Sequence, residues 1–551
     1  MATDTLLKDD LLDLDLKGLN DRDTIHCARL AAIRIFHLLR YILGPYHPNF
    51  LTSAKSTSIL FDNKLIEKSI HPQNSETKHW RKISNYRKTI SDEYLFWGTY
   101  FRKWPGSAYW EREDGTLPYA EYTTGVKIDG SRMDKKQKGM NAGTIYSIRD
   151  FILRDIDKIY NNLSLIDYIK SHVRLLSFSL ERCSRVLRSS QYRIKTKSGP
   201  RTLIIALETI KEIEPVYIIP QLFSIQKTCD SLTSYFFKHK LKEGGWKHDH
   251  DSHGISNPLN TAEVSVPLYN SLLNNQLDKL EDSKTFLLES CHEDGYWKTT
   301  RSKPLEESPF ANAFATNYLI KACGLNEPLV IKAIDRINDY LQNFDQFDEI
   351  HYFTCYCQSL RTVTNAVLLD SRYLGIKNEL PGYKDLILKT LKRYWDKSDN
   401  SSDDFKISVF AASMGLLAVS FIDKALGENS FKIRYDLSQN ILSHPEIPFP
   451  NKVMWYHSKR AKEFTHWVIP WSIVALTKQP FIDNFKLLDM SRQIMSHYRD
   501  SKGVRYDKKG RYHIWAAGHL LYSLQNVLEF FSKKSLYSDY FKNGRFCLNI
   551  N

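Results

Sequence analysis

Two kinds of apolar segment alternate along the C-terminal three-fifths of the chain. Some are amphipathic, as in Tyr383 to Trp395 (YKDLILKTLKRYW), and others are apolar nearly all round, as in Thr465 to Leu476 (THWVIPWSIVAL) and His513 to Leu524 (HIWAAGHLLYSL). A helix with one apolar stripe lies on a surface, and one that is apolar on every side lies inside. The pattern predicts amphipathic helices at roughly 221–240, 278–290, 328–342, 384–395, 432–442 and 482–498. Each is followed by a more apolar helix, at 258–274, 309–323, 352–372, 404–423, 464–477 and 513–532. Six outer–inner pairs predict an all-α fold, an α6/α6 ring of paired helices over 216–535.

Local chemistry supports the pairing. Asn257-Pro258 and Ser308-Pro309 each put a capping side chain before a proline at the first helical position. Asp403 or Asp404 can cap the fourth inner helix in the same way. The longest apolar stretch, Ile407 to Ile422, is shorter than the roughly 20 residues that span a bilayer, and it reads as a core helix. Residues 1–215 read as a mostly helical N-terminal region, with an acidic leader, an amphipathic helix at Thr24 to Leu43 and a long helical pattern at Thr144 to Ser189. The stretch 48–145 is irregular and aromatic, Tyr192 to Arg201 (YRIKTKSGPR) is a basic loop, and 536–551 form a tail. The leader lacks the basic-then-apolar order of a signal peptide, so a cytoplasmic location is the expectation.

Two loops share a motif. Lys242 to Val264 contains KEGGW and then SNPLNTAEV, and Leu287 to Trp297 reads LLESCHEDGYW. Both resemble the QW-type repeats of the squalene cyclase and prenyltransferase superfamily, in which an outer helix ends in a D-G-x-W turn and Thr-Ala often opens the next inner helix. The glycine permits the turn, and the tryptophan buries a large surface between neighbouring helices. Trp246 and Trp297 are therefore assigned structural roles. The family's glutamine is missing before both turns, and GVRYDKKGRYHIW is a fainter echo in the last loop.

The resemblance implies an α/α toroid like that of terpenoid cyclases and protein prenyltransferases. It also permits a test of chemistry. Class II terpenoid cyclases protonate an alkene with the middle aspartate of a D-x-D-D motif placed just before Thr-Ala, an acid whose proton is retained by burial. Here Thr261-Ala262 follow Asn257, Pro258, Leu259 and Asn260, so Leu259 stands where the acid would be. A substitute acid exists in Ser401-Ser402-Asp403-Asp404, with Asp403 as donor and Asp404 as its partner; both residues also suit the positive end of a helix. The string Asp9-Asp10-Leu11-Leu12-Asp13 matches a magnesium-binding D-D-x-x-D by chance. HYFTCYCQSL resembles a zinc-ligand helix, but Phe353 occupies the histidine's place. Zinc from Cys291, Asp294 and His351 would need a coincidence of geometry. No metal or cofactor is expected.

Charge then narrows the partners. The formal charge is +14 and the pI about 9.1, which favours an anionic small molecule or a protein partner. Nucleic acid has only the charge and YRIKTKSGPR in its favour. In a closed ring the outer-to-inner loops share one rim. His248, His250 and His253, Arg301, Lys459 and Arg460, and Arg505, Lys508 and Arg511 would make a basic arc there, and loops three and four an acidic one. The HDHDSH string could hold a metal only with ligands from elsewhere. The eight cysteines lack a C-x-x-C pair and read as reduced, buried thiols. The aromatic residues could line a carbocation cavity or fill a core. The expectation is a recognition or scaffold module without cyclase chemistry; the alternative is a divergent terpenoid cyclase acting through Asp403 on a prenyl diphosphate or polyene. Similar barrels occur as sensor or scaffold parts of bacterial conflict systems, and the resemblance allows that role here.

Overall fold

The computed structural model describes residues 11–13, 16 and 19–43, helical positions between 172 and 186, and, with short gaps, 199–298, 307–443, 467–504 and 513–542. These residues are predominantly helical; the described strands are the two-residue β1 (Tyr498–Arg499) and β2 (Gly503–Val504), paired antiparallel. The chain divides into two compact units. Unit 1 comprises Met1–Pro220, Leu442–Met454 and Asp483–Asp489, and unit 2 comprises Gln221–Ile441, Trp455–Ile482 and Met490–Asn551.

Helix α1 runs Asp21–Leu43 and α2 runs Gly199–His239. Helix α2 starts where the basic loop is expected, and it continues through Pro215 and Pro220, longer than the 221–240 that periodicity predicts. In unit 1, Arg34 donates to both carboxylate oxygens of Glu214 at 2.6 and 2.8 Å, and Asn484 Nδ2 donates to the same carboxylate at 2.8 Å. Glu214 is fully buried, so this fork supplies the charge-assisted partners that burial demands.

The helices that follow are α3 (Pro258–Ser271), α4 (Glu281–Glu289), α5 (Pro309–Cys323), α6 (Pro328–Gln342) and α7 (Ile350–Leu369). Next come α8 (Leu374–Asp396), α9 (Ser402–Leu426), α10 (Phe431–Ser443), α11 (Ile469–Leu476) and α12 (Asn484–Met495). Helices α13 (Ile514–Ser532) and α14 (Ser535–Lys542) complete the set. Within unit 2, α3 packs on α5, α5 on α7, α7 on α9, α9 on α11 and α11 on α13, and α13 packs back on α3. These six are the segments read from the sequence as the more apolar members of the pairs. Helices α4, α6 and α8 each pack on the two odd-numbered helices that flank them in the chain. Helix α6 shows why: Val330, Ala333, Ile334, Ile337 and Leu341 are buried along one stripe. Asn257 and Ser308 cap α3 and α5 as expected, each accepting from a backbone N–H of the first turn.

The two tryptophan turns are built alike. Each backbone N–H of Trp246 and Trp297 donates to a side chain fifteen residues on, Thr261 Oγ1 at 3.1 Å and Asn312 Oδ1 at 2.8 Å. Each indole N–H donates to a carbonyl ten residues back, Phe236 at 2.9 Å and Leu287 at 2.8 Å. Each tryptophan carbonyl accepts from the N-cap residue of the next helix, Asn257 or Ser308, at 3.0 Å. Both indoles are fully buried. Gly244 and Gly295 before them have φ of 90° and 81°. A Cβ on either would fall 2.3 or 2.6 Å from the backbone of α4 or α6, so only glycine allows so close an approach. The turn thus fastens the end of one even-numbered helix to the start of an odd-numbered one.

Val409–Leu426 of α9 is long and apolar enough to cross a membrane, and 78% of it is buried inside the protein. Seven described cysteines are free thiols. Burial pushes Cys183 and Cys355 up to about 12 and Cys357 well above the ordinary thiol range. The reactive species is the thiolate. At pH 8 a maleimide is expected to leave these three cysteines unmodified in the native protein and to modify them after denaturation, as read by peptide mass spectrometry; labelling of the native protein would contradict the burial described.

Candidate functional site

Aromatic side chains of the odd-numbered helices of unit 2, and of the residues just before α11, meet one another. Phe310 and Phe314 lie one turn apart on α5 with ring centroids 5.4 Å apart. Helix α11 stands opposite α5 in the order of contacts, yet the rings meet: Phe310 lies 6.0 Å from Trp467, just before α11, and Phe314 lies 5.9 Å from Trp471 within it. Phe410 of α9 adds an edge to Trp467 at 5.6 Å. From α13, Trp515 lies 6.3 Å from Trp467, and Tyr522 lies 5.7 Å from Trp471. Edge-to-face pairs at these separations are the favoured geometry for packed rings.

One polar pair is enclosed among these rings. His519 of α13 places Nε2 3.3 Å from Glu263 Oε1 of α3, and both side chains are about 95% buried. Glu263 Oε2 and both ring nitrogens of His519 have no hydrogen-bond partner, so the contact between them is a close approach and not a hydrogen bond. Trp471 and Trp515 each lie 5.6 Å from the imidazole. Glu263 directly follows Thr261-Ala262, so it enters the interior from the motif that the sequence singles out.

A second polar group gathers at the C-terminal ends of the odd-numbered helices. Lys321, in the last turn of α5, donates to Asn270 near the end of α3 at 3.0 Å. Lys478, just beyond α11, lies 3.6 Å from Glu529 near the end of α13, and Lys533 lies 2.5 Å from the same carboxylate. Arg361, midway along α7, donates through one terminal nitrogen to Tyr522 Oη at 2.5 Å and through the other to Gln358 Oε1 at 3.2 Å. Its guanidinium also lies over the Tyr522 ring at 5.0 Å and the Trp471 ring at 5.7 Å. Burial alone would raise Glu529, but Lys478, Lys533 and Lys321 outweigh it and hold the carboxyl at about 2. Desolvation lowers both Lys321 and Lys478 from the ordinary lysine range, with Arg361 pushing the same way.

The basic arc expected from the loops, namely His248, His250, His253, Arg301, Lys459, Arg460, Arg505, Lys508 and Arg511, lies outside the described residues. Asp403 and Asp404 fall in the first turn of α9, and their side chains also lie outside them. Leu259, where the family's acid would stand, is buried in the first turn of α3. Cys291 and Asp294 engage their own turn, through the carbonyl and the ring of His292. Among the described residues, no three His, Cys, Asp or Glu side chains gather as a metal ion would require.

Sequence reading did not single out Glu263, His519, Arg361, Lys321 or Lys478. Their signal is a charged or ionisable residue within or at the end of a segment that is otherwise apolar all round, a position normally closed to an unpaired charge. The chain matches no protein-family model. A search of curated proteins gives no significant match.

Proposed function

We propose that unit 2 is an α6/α6 toroid of the terpenoid cyclase and prenyltransferase kind, and that it serves as a recognition or scaffold module for an anionic ligand or a partner protein. Support for the toroid comes from the order of helix contacts, which returns from α13 to α3, and from the even-numbered helices packed outside. The observation that carries the non-catalytic reading is the contact of Phe310 and Phe314 with Trp467 and Trp471. A cyclase must fold a polyene within an open apolar chamber, and rings that meet across the order of helix contacts favour a narrower interior.

The competing reading is a divergent terpenoid cyclase. Its support is the Glu263–His519 pair, because a buried carboxyl–imidazole pair under aromatic rings has the makings of a proton donor. Asp403 is the other candidate acid. Incubation of the full chain with geranylgeranyl diphosphate and with squalene, followed by gas chromatography and mass spectrometry, separates the readings. No hydrocarbon or alcohol product above the heat-killed control is expected. A product abolished by Asp403→Asn or Glu263→Gln would reverse the conclusion. On the recognition reading, association with the ligand or partner is salt-sensitive.

A further inference from the structure

We propose that Arg361, within α7, and Lys321 and Lys478, at the C-terminal ends of α5 and α11, form a binding site for the phosphate group of a small ligand. The inference deepens the recognition reading and rests on it for the premise that this protein binds an anion. It differs in place, because the sequence points to the connecting loops instead.

Arg361 is the decisive residue. Its side chain is only 4% exposed. A guanidinium has five N–H donors and a permanent charge. Its terminal nitrogens reach only the neutral acceptors Gln358 and Tyr522, and its Nε has no partner. Among the described residues, no carboxylate forms an ion pair with it. A buried charge without a counter-charge is strongly unfavourable, and an arriving anion relieves that cost while supplying charge-assisted acceptors.

The surroundings repeat the demand. Lys321, Lys478 and Lys533 all bear on one carboxylate, Glu529, which is already divided between Lys478 and Lys533. Helix C-termini attract cations, and that attraction accounts for Lys321 at the end of α5 and for Lys478 just past α11. It does not account for Arg361, which stands in the middle of α7. Lys321 is exposed, and Lys478 keeps a quarter of its side chain accessible, so an incoming anion can reach both. A planar fork together with two ammonium groups that feel its charge matches a phosphate, which offers several acceptor oxygens and up to two charges, better than a single carboxylate.

Isothermal titration calorimetry on the full chain, at constant ionic strength in chloride, tests the site with inorganic phosphate, pyrophosphate and adenosine monophosphate. At least one of the three is expected to bind saturably at one site per chain. Affinity should fall at least tenfold in Lys321→Gln and in Lys478→Gln, whose accessible side chains can be changed without opening the core. Arg361→Lys should weaken binding as well, since it keeps the charge and loses the fork. Preference for adenosine monophosphate over inorganic phosphate would identify a phosphate ester as the ligand, and the reverse order a free phosphate. No saturable binding by any of the three overturns the proposal, and so does binding that Lys321→Gln and Lys478→Gln leave unchanged. Binding lost only on Lys459→Glu or Arg460→Glu would reject this site and leave the recognition reading standing. A terpenoid product from the assay above would reject the recognition reading and leave phosphate binding at Lys321 and Lys478 as a separate result.

Discussion

Replacing Trp297 with alanine is expected to destabilise unit 2 by about 3–5 kcal/mol, the range found when a fully buried aromatic is cut back to a methyl group. The side chain has no exposed surface, so its removal opens a cavity where the turn meets the helices around it. It also leaves the Leu287 carbonyl without the indole donor that now sits 2.8 Å away. Trp297→Phe separates the two effects. It keeps most of the apolar contact, leaves the carbonyl only the longer bond from the Ser290 hydroxyl at 3.3 Å and should cost about 1–3 kcal/mol. Trp246→Ala should behave like Trp297→Ala, because its indole makes the equivalent bond to Phe236 and is equally buried. Urea unfolding followed by circular dichroism reads all three variants. Changes within about 0.5 kcal/mol of wild type, the usual size for surface substitutions, would mean that the turns do not fasten the helices as described.

The legibility of the fold follows from the size of its apolar signal. Helices α3, α5, α7, α9, α11 and α13 are recognisable because each is more apolar than its partner, and the all-round apolar run of α9 is the clearest case. Proline at the first helical position fixed the starts of α3 and α5 to the residue. The start of α2 was not legible. The periodic pattern begins only at 221, yet the helix reaches back through Pro220 and Pro215 to Gly199, as tertiary packing can override local propensity. The polar group at the helix ends was hidden for another reason. Lys321, Arg361 and Lys478 are far apart in sequence, and each lysine alone looks like an ordinary helix-terminal cation. Only the fold sets both lysines on the Glu529 carboxylate and brings the Arg361 charge to bear on them. Conversely, the loop residues that composition made attractive, such as His248 and Arg505, lie outside the described residues.

Loss of the Asp423 carboxylate should be the other severe change. Asp423, near the end of α9, is 1% exposed and accepts from Lys384 Nζ of α8 at 2.7 Å. It also accepts from the Ser430 backbone N–H and hydroxyl, each at 2.9 Å, and Arg434 of α10 lies 3.6 Å away. One carboxylate therefore ties three successive helices together. Asp423→Ala would leave Lys384, itself about 90% buried, with only the half-exposed Glu428 as a partner. Breaking a buried pair from one side costs about 3–5 kcal/mol, because the remaining charge is uncompensated. The double variant Asp423→Leu with Lys384→Met removes both charges, and it should be more stable than Asp423→Ala alone. A double variant as unstable as the single one would assign the loss to packing instead of charge. Alkaline pH gives a second readout with a definite sign. Desolvation opposes the charge on Lys384, but Asp423 and Glu428 prevail and raise it above the ordinary lysine value of 10.5. The stability it contributes is fully present below that value and is lost as pH climbs through the higher folded one. Wild type should therefore lose stability more steeply than Lys384→Met above pH 10.5.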